Sequence, residues 1–234
     1  MALVYNGVTH AVLMATPADL ANLGIGFSLT EGIVDAVAAI EDVDVVEQPE
    51  GWEVRMLVAP DHAEALAARR RAMTGPTGCG LCGVESLAAA VTPPPRVRAG
   101  GRVPPGEVAA AVAALRDAQP LGRMTRAVHA AALWTPGEGV VAVREDVGRH
   151  NALDKLAGAL GRAGRSAEDG AVVLTSRVSV EMVQKAARMG ATVLAAVSAP
   201  TALAVRTAEA AGMTLVAVAR DDGFELFTGA ERVL

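Results

Sequence analysis

Apolar and polar positions along this chain follow two periods, and the mix changes near the middle. Residues 3–14 alternate loosely around Asn6-Gly7 and predict a β-hairpin. Thr16-Pro17-Ala18-Asp19 predicts a helix start, with Thr16 as cap and Pro17 in the first turn, running into Gly24 to Ile33. Strands are predicted over 42–47 and 52–58. Asp61-His62-Ala63-Glu64 then predicts a helix ending near Met73. A short helix over 84–90, a proline-rich connector from Pro93 to Pro105 and a helix over 106–118 follow.

From Ala127 the alternation becomes regular. Strands are predicted over 127–134, 139–144, 171–174, 192–197, 214–219 and 224–228. Helices fall over 151–160, 181–189 and 201–211, the last two stopped by Gly190 and Gly212. This order predicts an α/β sandwich around a mostly parallel sheet. Three parts are expected: a small α+β unit (1–73), a loop and connector (74–105), and an α/β domain (106–234).

Composition adds limits. The chain has 234 residues, and 52% of them are hydrophobic but only 3% aromatic, so the core should consist largely of Ala, Val and Leu. A formal charge of −5 argues against nucleic acid or an anionic membrane as partner. No apolar run is long enough to span a bilayer, and the first residues carry no basic leader. A cytoplasmic protein with reduced thiols is the expectation. Lysine occurs only at Lys155 and Lys185, with arginine at every other basic position. Chance is the simpler reading of that bias.

The two cysteines share one glycine-rich run, Gly78-Cys79-Gly80-Leu81-Cys82-Gly83. Three chemistries fit it. A nucleophilic thiolate at Cys79, helped by Cys82, would be favoured by glycine N–H groups and a following helix start. A zinc site would need Glu31 or His150 to complete the set, because two thiolates supply half of a tetrahedron. A redox dithiol lacks the strand that normally precedes it. The nucleophile ranks first and zinc second.

Three strand-to-helix junctions carry polar groups: Glu145 to Asn151, Thr175 to Ser179, and Ser198 to Thr201. In a parallel sheet such junctions share the carboxyl edge, where ligands bind. His150, Asn151, Arg177, Ser179, Ser198 and Thr201 are therefore candidate contacts for a phosphorylated ligand. Against this, Ser179, Ser198 and Thr201 could be plain helix caps, and the charges around Glu145 a surface salt-bridge cluster. His129 reads as a core strand residue and His62 as solvated helix surface. His10 reads as part of the hairpin.

Several of these segments together resemble the formate dehydrogenase accessory sulfurtransferases, the FdhD family. They are Thr77-Gly78-Cys79-Gly80-Leu81-Cys82-Gly83-Val84-Glu85, Glu145-Asp146-Val147-Gly148-Arg149-His150-Asn151 with Asp154-Lys155, Ser176-Arg177-Val178-Ser179, Gly26-Phe27-Ser28-Leu29-Thr30-Glu31-Gly32-Ile33 and Ser198-Ala199-Pro200-Thr201. The resemblance implies a cytidine-deaminase-like three-layer sandwich preceded by the smaller α+β domain, and a homodimer. It implies that a cysteine desulfurase delivers persulfide sulfur to Cys79, partnered by Cys82. The sulfur would pass to the molybdenum cofactor, Mo-bis(molybdopterin guanine dinucleotide), bound as substrate and required by formate dehydrogenase. The family's cofactor strand matches Val216, Ala217, Val218, Ala219, Arg220 and Asp221, with Val218 where the family pattern has an aromatic residue. No resident metal is expected. Two rival readings remain: a cofactor-binding chaperone without sulfur chemistry, and a zinc hydrolase of the deaminase type, whose His-x-Glu block is missing here.

Overall fold

The computed structural model describes residues 1–63, 66, 93–98, 102–220 and 223–233. Cys79, Cys82, Asp221, the predicted 84–90 helix and all but the opening of the predicted 61–73 helix lie outside these residues.

The hairpin forms as expected. Strands β1 (Ala2–Tyr5) and β2 (Val8–Val12) are joined by Asn6 and Gly7 at φ 47° and 80°, the two left-handed positions that this tight turn demands. The Asn6 side chain ties the turn to Val58, donating to its carbonyl and accepting from its N–H, both at 2.9 Å. Strands β3 (Ile40–Gln48) and β4 (Gly51–Val58) complete a four-stranded sheet in the order β2-β1-β4-β3, with β1 parallel to β4.

Helix α1 starts later than predicted. It spans Leu20–Thr30, and Asp19 precedes it in the left-handed conformation without a side-chain cap. Thr16 is not the cap because its polar groups are committed elsewhere: its N–H donates to Asp146 and its hydroxyl accepts from the Val147 N–H, each at 3.0 Å. The helix is buried nearly all round. Gly24 faces Val54 and Met56 of the first sheet, while Gly26 and Gly158 let α1 lie directly on helix α4 (Arg149–Arg162). A Cβ at Gly26 would enter the Asp154 carbonyl, so backbone-to-backbone contact fixes this crossing.

The second sheet has the order β10-β9-β8-β7-β5-β6. Its strands are β5 (His129–Thr135), β6 (Gly139–Asp146), β7 (Ala171–Leu174), β8 (Val193–Ala196), β9 (Thr214–Arg220) and β10 (Gly223–Thr228). The expectation of a mostly parallel sheet needs correction. Only β7–β8 and β8–β9 are parallel neighbours, because β5 is inserted antiparallel to both β6 and β7. The hairpin at Pro136-Gly137 dictates the β5–β6 pairing, since a short turn must reverse the chain. As a consequence β6, β7, β8 and β9 all point the same way.

Helices cover both faces. Leu133, Val172, Leu174, Leu194, Leu215 and Ala217 pack beneath α4, α5 (Val180–Arg188) and α6 (Ala202–Ala211). Residues of opposite phase, including Ala132, Val173, Ala195 and Val216, pack on α2 (Pro105–Asp117). The short α3 (Pro120–Thr125) was not predicted; its N-terminal Leu121 and Gly122 N–H groups donate to the Glu145 carboxylate. The layers are therefore helix, mixed sheet and helix. No helix among the described residues is long and apolar enough to cross a membrane.

Candidate functional site

Because β6 to β9 share one direction, the N-termini of α4, α5 and α6 gather at a single edge of the second sheet. The three junctions predicted from sequence are the loops along that edge. Two of them are linked: Val178 bridges Pro200, and the Thr201 N–H donates to the Val178 carbonyl at 2.9 Å. The Val218 N–H reaches the Ser198 carbonyl at 3.4 Å, which brings β9 to the third junction.

The charges around Glu145 do not form a surface cluster. Asp146 and Lys155 are fully buried and meet at 2.6 Å. The Asp146 carboxylate also accepts from Gly148 N–H, the Asn151 amide and Thr16 N–H, at 2.8, 3.0 and 3.0 Å. The Lys155 ammonium also donates to the Thr16 carbonyl at 3.0 Å. Asn151 is buried, and its amide nitrogen donates as well to the Met14 carbonyl at 2.8 Å. These groups fasten the segment before α1 to the start of α4. A buried ion pair stripped of either member leaves an uncompensated charge, so every lone pair here needs its donor.

A second buried network lies where α1, α4 and α5 meet. The Lys185 ammonium donates to Asp154 at 2.9 and 3.0 Å and to Thr30 at 3.1 Å, and it pairs with Glu31 at 2.7 Å. Thr30 donates to Asp154 at 2.6 Å. The Phe27 ring lies 5.2 Å from the ammonium, within cation–π range. Burial alone works against charge on Lys185, but Asp154 and Glu31 more than reverse it and hold its pKa above the ordinary value. Burial also pushes the Asp154 pKa up, an effect that Lys185 and the Thr30 hydroxyl oppose. Next to this network Tyr5 and Ser28 share a hydrogen bond of 2.8 Å, and burial raises the Tyr5 pKa.

The remaining candidates sort into engaged and open groups. Thr201 caps α6, accepting from Ala204 N–H at 3.2 Å. Ser179 stands at the N-cap of α5, but its hydroxyl makes no cap bond and is a buried oxygen without a partner among the described residues. Arg149 Nε and His150 Nε2 are likewise buried and unpaired among the described residues. Arg177 is exposed, and Ser198 is half-buried. His150 is held neutral: burial foremost, then Arg149 and Lys185, lower its pKa to about 4 against the pull of Glu181 and Glu31. Burial and Arg149 lower His129 as well. Among the described residues no three of His, Cys, Asp and Glu lie close enough to hold a metal ion, and the cysteines are outside them.

The His150 shift has a measurable consequence. The folded state binds that proton less readily than the unfolded chain, so stability declines as pH falls from about 6.5 to 4, by up to about 3 kcal/mol. Histidine NMR should show one resonance titrating near pH 4, absent in His150→Gln. A His150 midpoint near 6.5 would contradict the burial described above.

Sequence reasoning missed the Thr30–Glu31–Asp154–Lys185 network and undervalued Lys155. A signal existed. The only two lysines of the chain fall among the apolar positions of their helices, Lys185 beside Met182, Val183 and Ala186, and Lys155 beside Ala152, Leu153 and Leu156.

Comparison with known proteins covers the whole chain. Residues 1–234 match the FdhD/NarQ family. The sulfur carrier protein FdhD of Agrobacterium fabrum (strain C58 / ATCC 33970) is 55% identical over 235 residues, covering 100% of this chain and 87% of that protein. The protein of that name from Cupriavidus necator (strain ATCC 17699 / DSM 428 / KCTC 22496 / NCIMB 10442 / H16 / Stanier 337) is 48% identical over 234 residues, 100% of this chain and 81% of its own length. Among solved structures, a formate dehydrogenase accessory protein from Desulfotalea psychrophila superposes with a TM-score of 0.76 at 26% identity, over 100% of this chain and 87% of that one.

Proposed function

Since the chain belongs to the FdhD/NarQ family, we propose that it is a sulfur carrier serving formate dehydrogenase, and that it works as a sulfurtransferase. The Cys79 thiolate attacks the outer sulfur of a persulfide on a cysteine desulfurase. A new S–S bond forms at Cys79, the donor's S–S bond breaks, and the donor leaves as thiolate. Cys82 assists, and the outer sulfur then passes to the bis(molybdopterin guanine dinucleotide) molybdenum cofactor bound as substrate: the S–S bond at Cys79 breaks, Cys79 leaves as thiolate, and the substrate cofactor in its reduced state supplies the two electrons that bring the sulfane sulfur to the sulfide level. The cytidine-deaminase-like description of the sandwich, the homodimer and a cytoplasmic location belong to the same proposal.

The observation that carries this reading is the match, over the whole of this chain, to relatives named sulfur carriers, up to 55% identical. The edge where α4, α5 and α6 begin supports it. Arg149 Nε, His150 Nε2 and the Ser179 hydroxyl offer unspent hydrogen-bonding capacity there, and a guanine dinucleotide presents both donors and anionic acceptors.

The test is persulfide mapping. After incubation with a cysteine desulfurase and cysteine, mass spectrometry should find one extra sulfur on the peptide containing Cys79. If no sulfur is added, while a Cys79→Ser/Cys82→Ser variant still activates formate dehydrogenase, the protein is a cofactor-binding chaperone instead.

A further inference from the structure

A cleft of about 140 Å³ lies at the end of α4 and α5 away from the candidate ligand edge, between their C-terminal halves and the last turn of α1. Its floor is apolar, formed by Leu29 of α1, Ala157 and Leu160 of α4, and Met189 just past α5. Two arginines, Arg165 and Arg188, complete its wall. They differ in what they hold. Arg165 is committed to Glu138, donating to its two carboxylate oxygens at 2.6 and 3.2 Å. Arg188 is exposed and has no carboxylate partner among the described residues. Its guanidinium is nonetheless placed: it lies over Gly32, at φ 64°, where a Cβ would collide with it. A basic residue in the last turn of a helix suits the helix dipole. That accounts for the charge of Arg188, but not for a guanidinium laid across the residues that follow α1.

We propose that this cleft binds a small carboxylate with a short unbranched apolar chain, its head on Arg188 and its chain on the floor between Leu29, Leu160 and Met189. A planar fork of donors matches a carboxylate. Helices α4 and α5 end beside the cleft, and their carbonyl ends oppose an anion, but a helix end counts for less than a charge-assisted hydrogen bond. At about 30 Å³ for a group the size of water, the volume accepts about five such groups, so the chain should have about five carbons. Thr30 lines the same cleft, and its hydroxyl donates to Asp154 and accepts from Lys185. A bound carboxylate therefore braces the last turn of α1 against α4 and α5. The site is independent of the sulfur chemistry proposed above.

The test titrates the purified protein with acetate, butanoate, hexanoate and octanoate at constant ionic strength, followed by methyl NMR of leucine and methionine. Affinity should rise about two- to fourfold per methylene as far as hexanoate and level off at octanoate. The methyl groups that respond should be those of Leu29, Leu160 and Met189. Hexanol, which lacks the charge, should bind at least about tenfold more weakly, and Arg188→Ala should weaken hexanoate by a similar factor. Arg188→Lys should recover only part of that loss. Hexanoate should also raise the urea midpoint of the wild-type protein, and raise that of Arg188→Ala less. Arg188 is exposed, so both replacements leave the core intact. Absence of saturable hexanoate binding, methyl shifts confined to the ligand edge, or wild-type affinity in Arg188→Ala would each overturn the site. Equal binding of hexanol would overturn the carboxylate as its ligand.

Discussion

Lys185→Met should destabilise the fold by about 3–5 kcal/mol, read as a lower urea midpoint. The reason is the partner left behind. Asp154 is buried, and Lys185 supplies its counter-charge and two of its hydrogen bonds. Glu31, 40% exposed, can turn to water; Asp154 cannot. Losing the ammonium drives the Asp154 pKa further in the direction burial already pushes it. The sign of the pH dependence follows. A folded-state pKa raised above the unfolded value makes the folded state bind the proton more tightly, so the variant loses stability as pH rises through the gap. Its deficit should therefore shrink on acidification. Asp154→Leu in the Lys185→Met background should recover much of the loss, because no buried charge remains. If Lys185→Met matches wild type at neutral pH, the network does not clasp α1 to α4 and α5.

Cys79→Ala should abolish activation of formate dehydrogenase, a loss of at least about a hundredfold. Removing the attacking sulfur leaves no atom to hold the persulfide, whereas Cys82→Ala removes a helper and should cost less. The folded state should be unaffected in urea. Activation of the formate dehydrogenase apoenzyme by each purified variant, with desulfurase and cysteine supplied, makes the comparison.

Several elements were legible because one local residue decides them. Asn6-Gly7 forces the hairpin, and Gly212 stops α6 in the left-handed conformation. The start of α1 was misread because Thr16, a good cap by local rules, is claimed by Asp146 and Val147, 130 and 131 residues away in sequence. Strand direction is absent from periodicity, so the antiparallel insertion of β5 appears only in the pairing. The candidate edge was legible as three polar junctions, since each follows an apolar strand. What could not be read was which groups are already spent. Asn151 and Thr201 have partners, while Ser179 and His150 keep buried atoms open, and only three-dimensional packing separates them. The cysteine pair, by contrast, was evident from composition alone.

The proposed function requires that sulfur travel through this chain. A chase tests it most directly: load the protein with isotopically labelled sulfur from cysteine and the desulfurase, remove the donor, then add cofactor and formate dehydrogenase apoenzyme. Label should leave the Cys79 peptide and appear in the cofactor of the activated enzyme. Activation with the label still on the chain would contradict it.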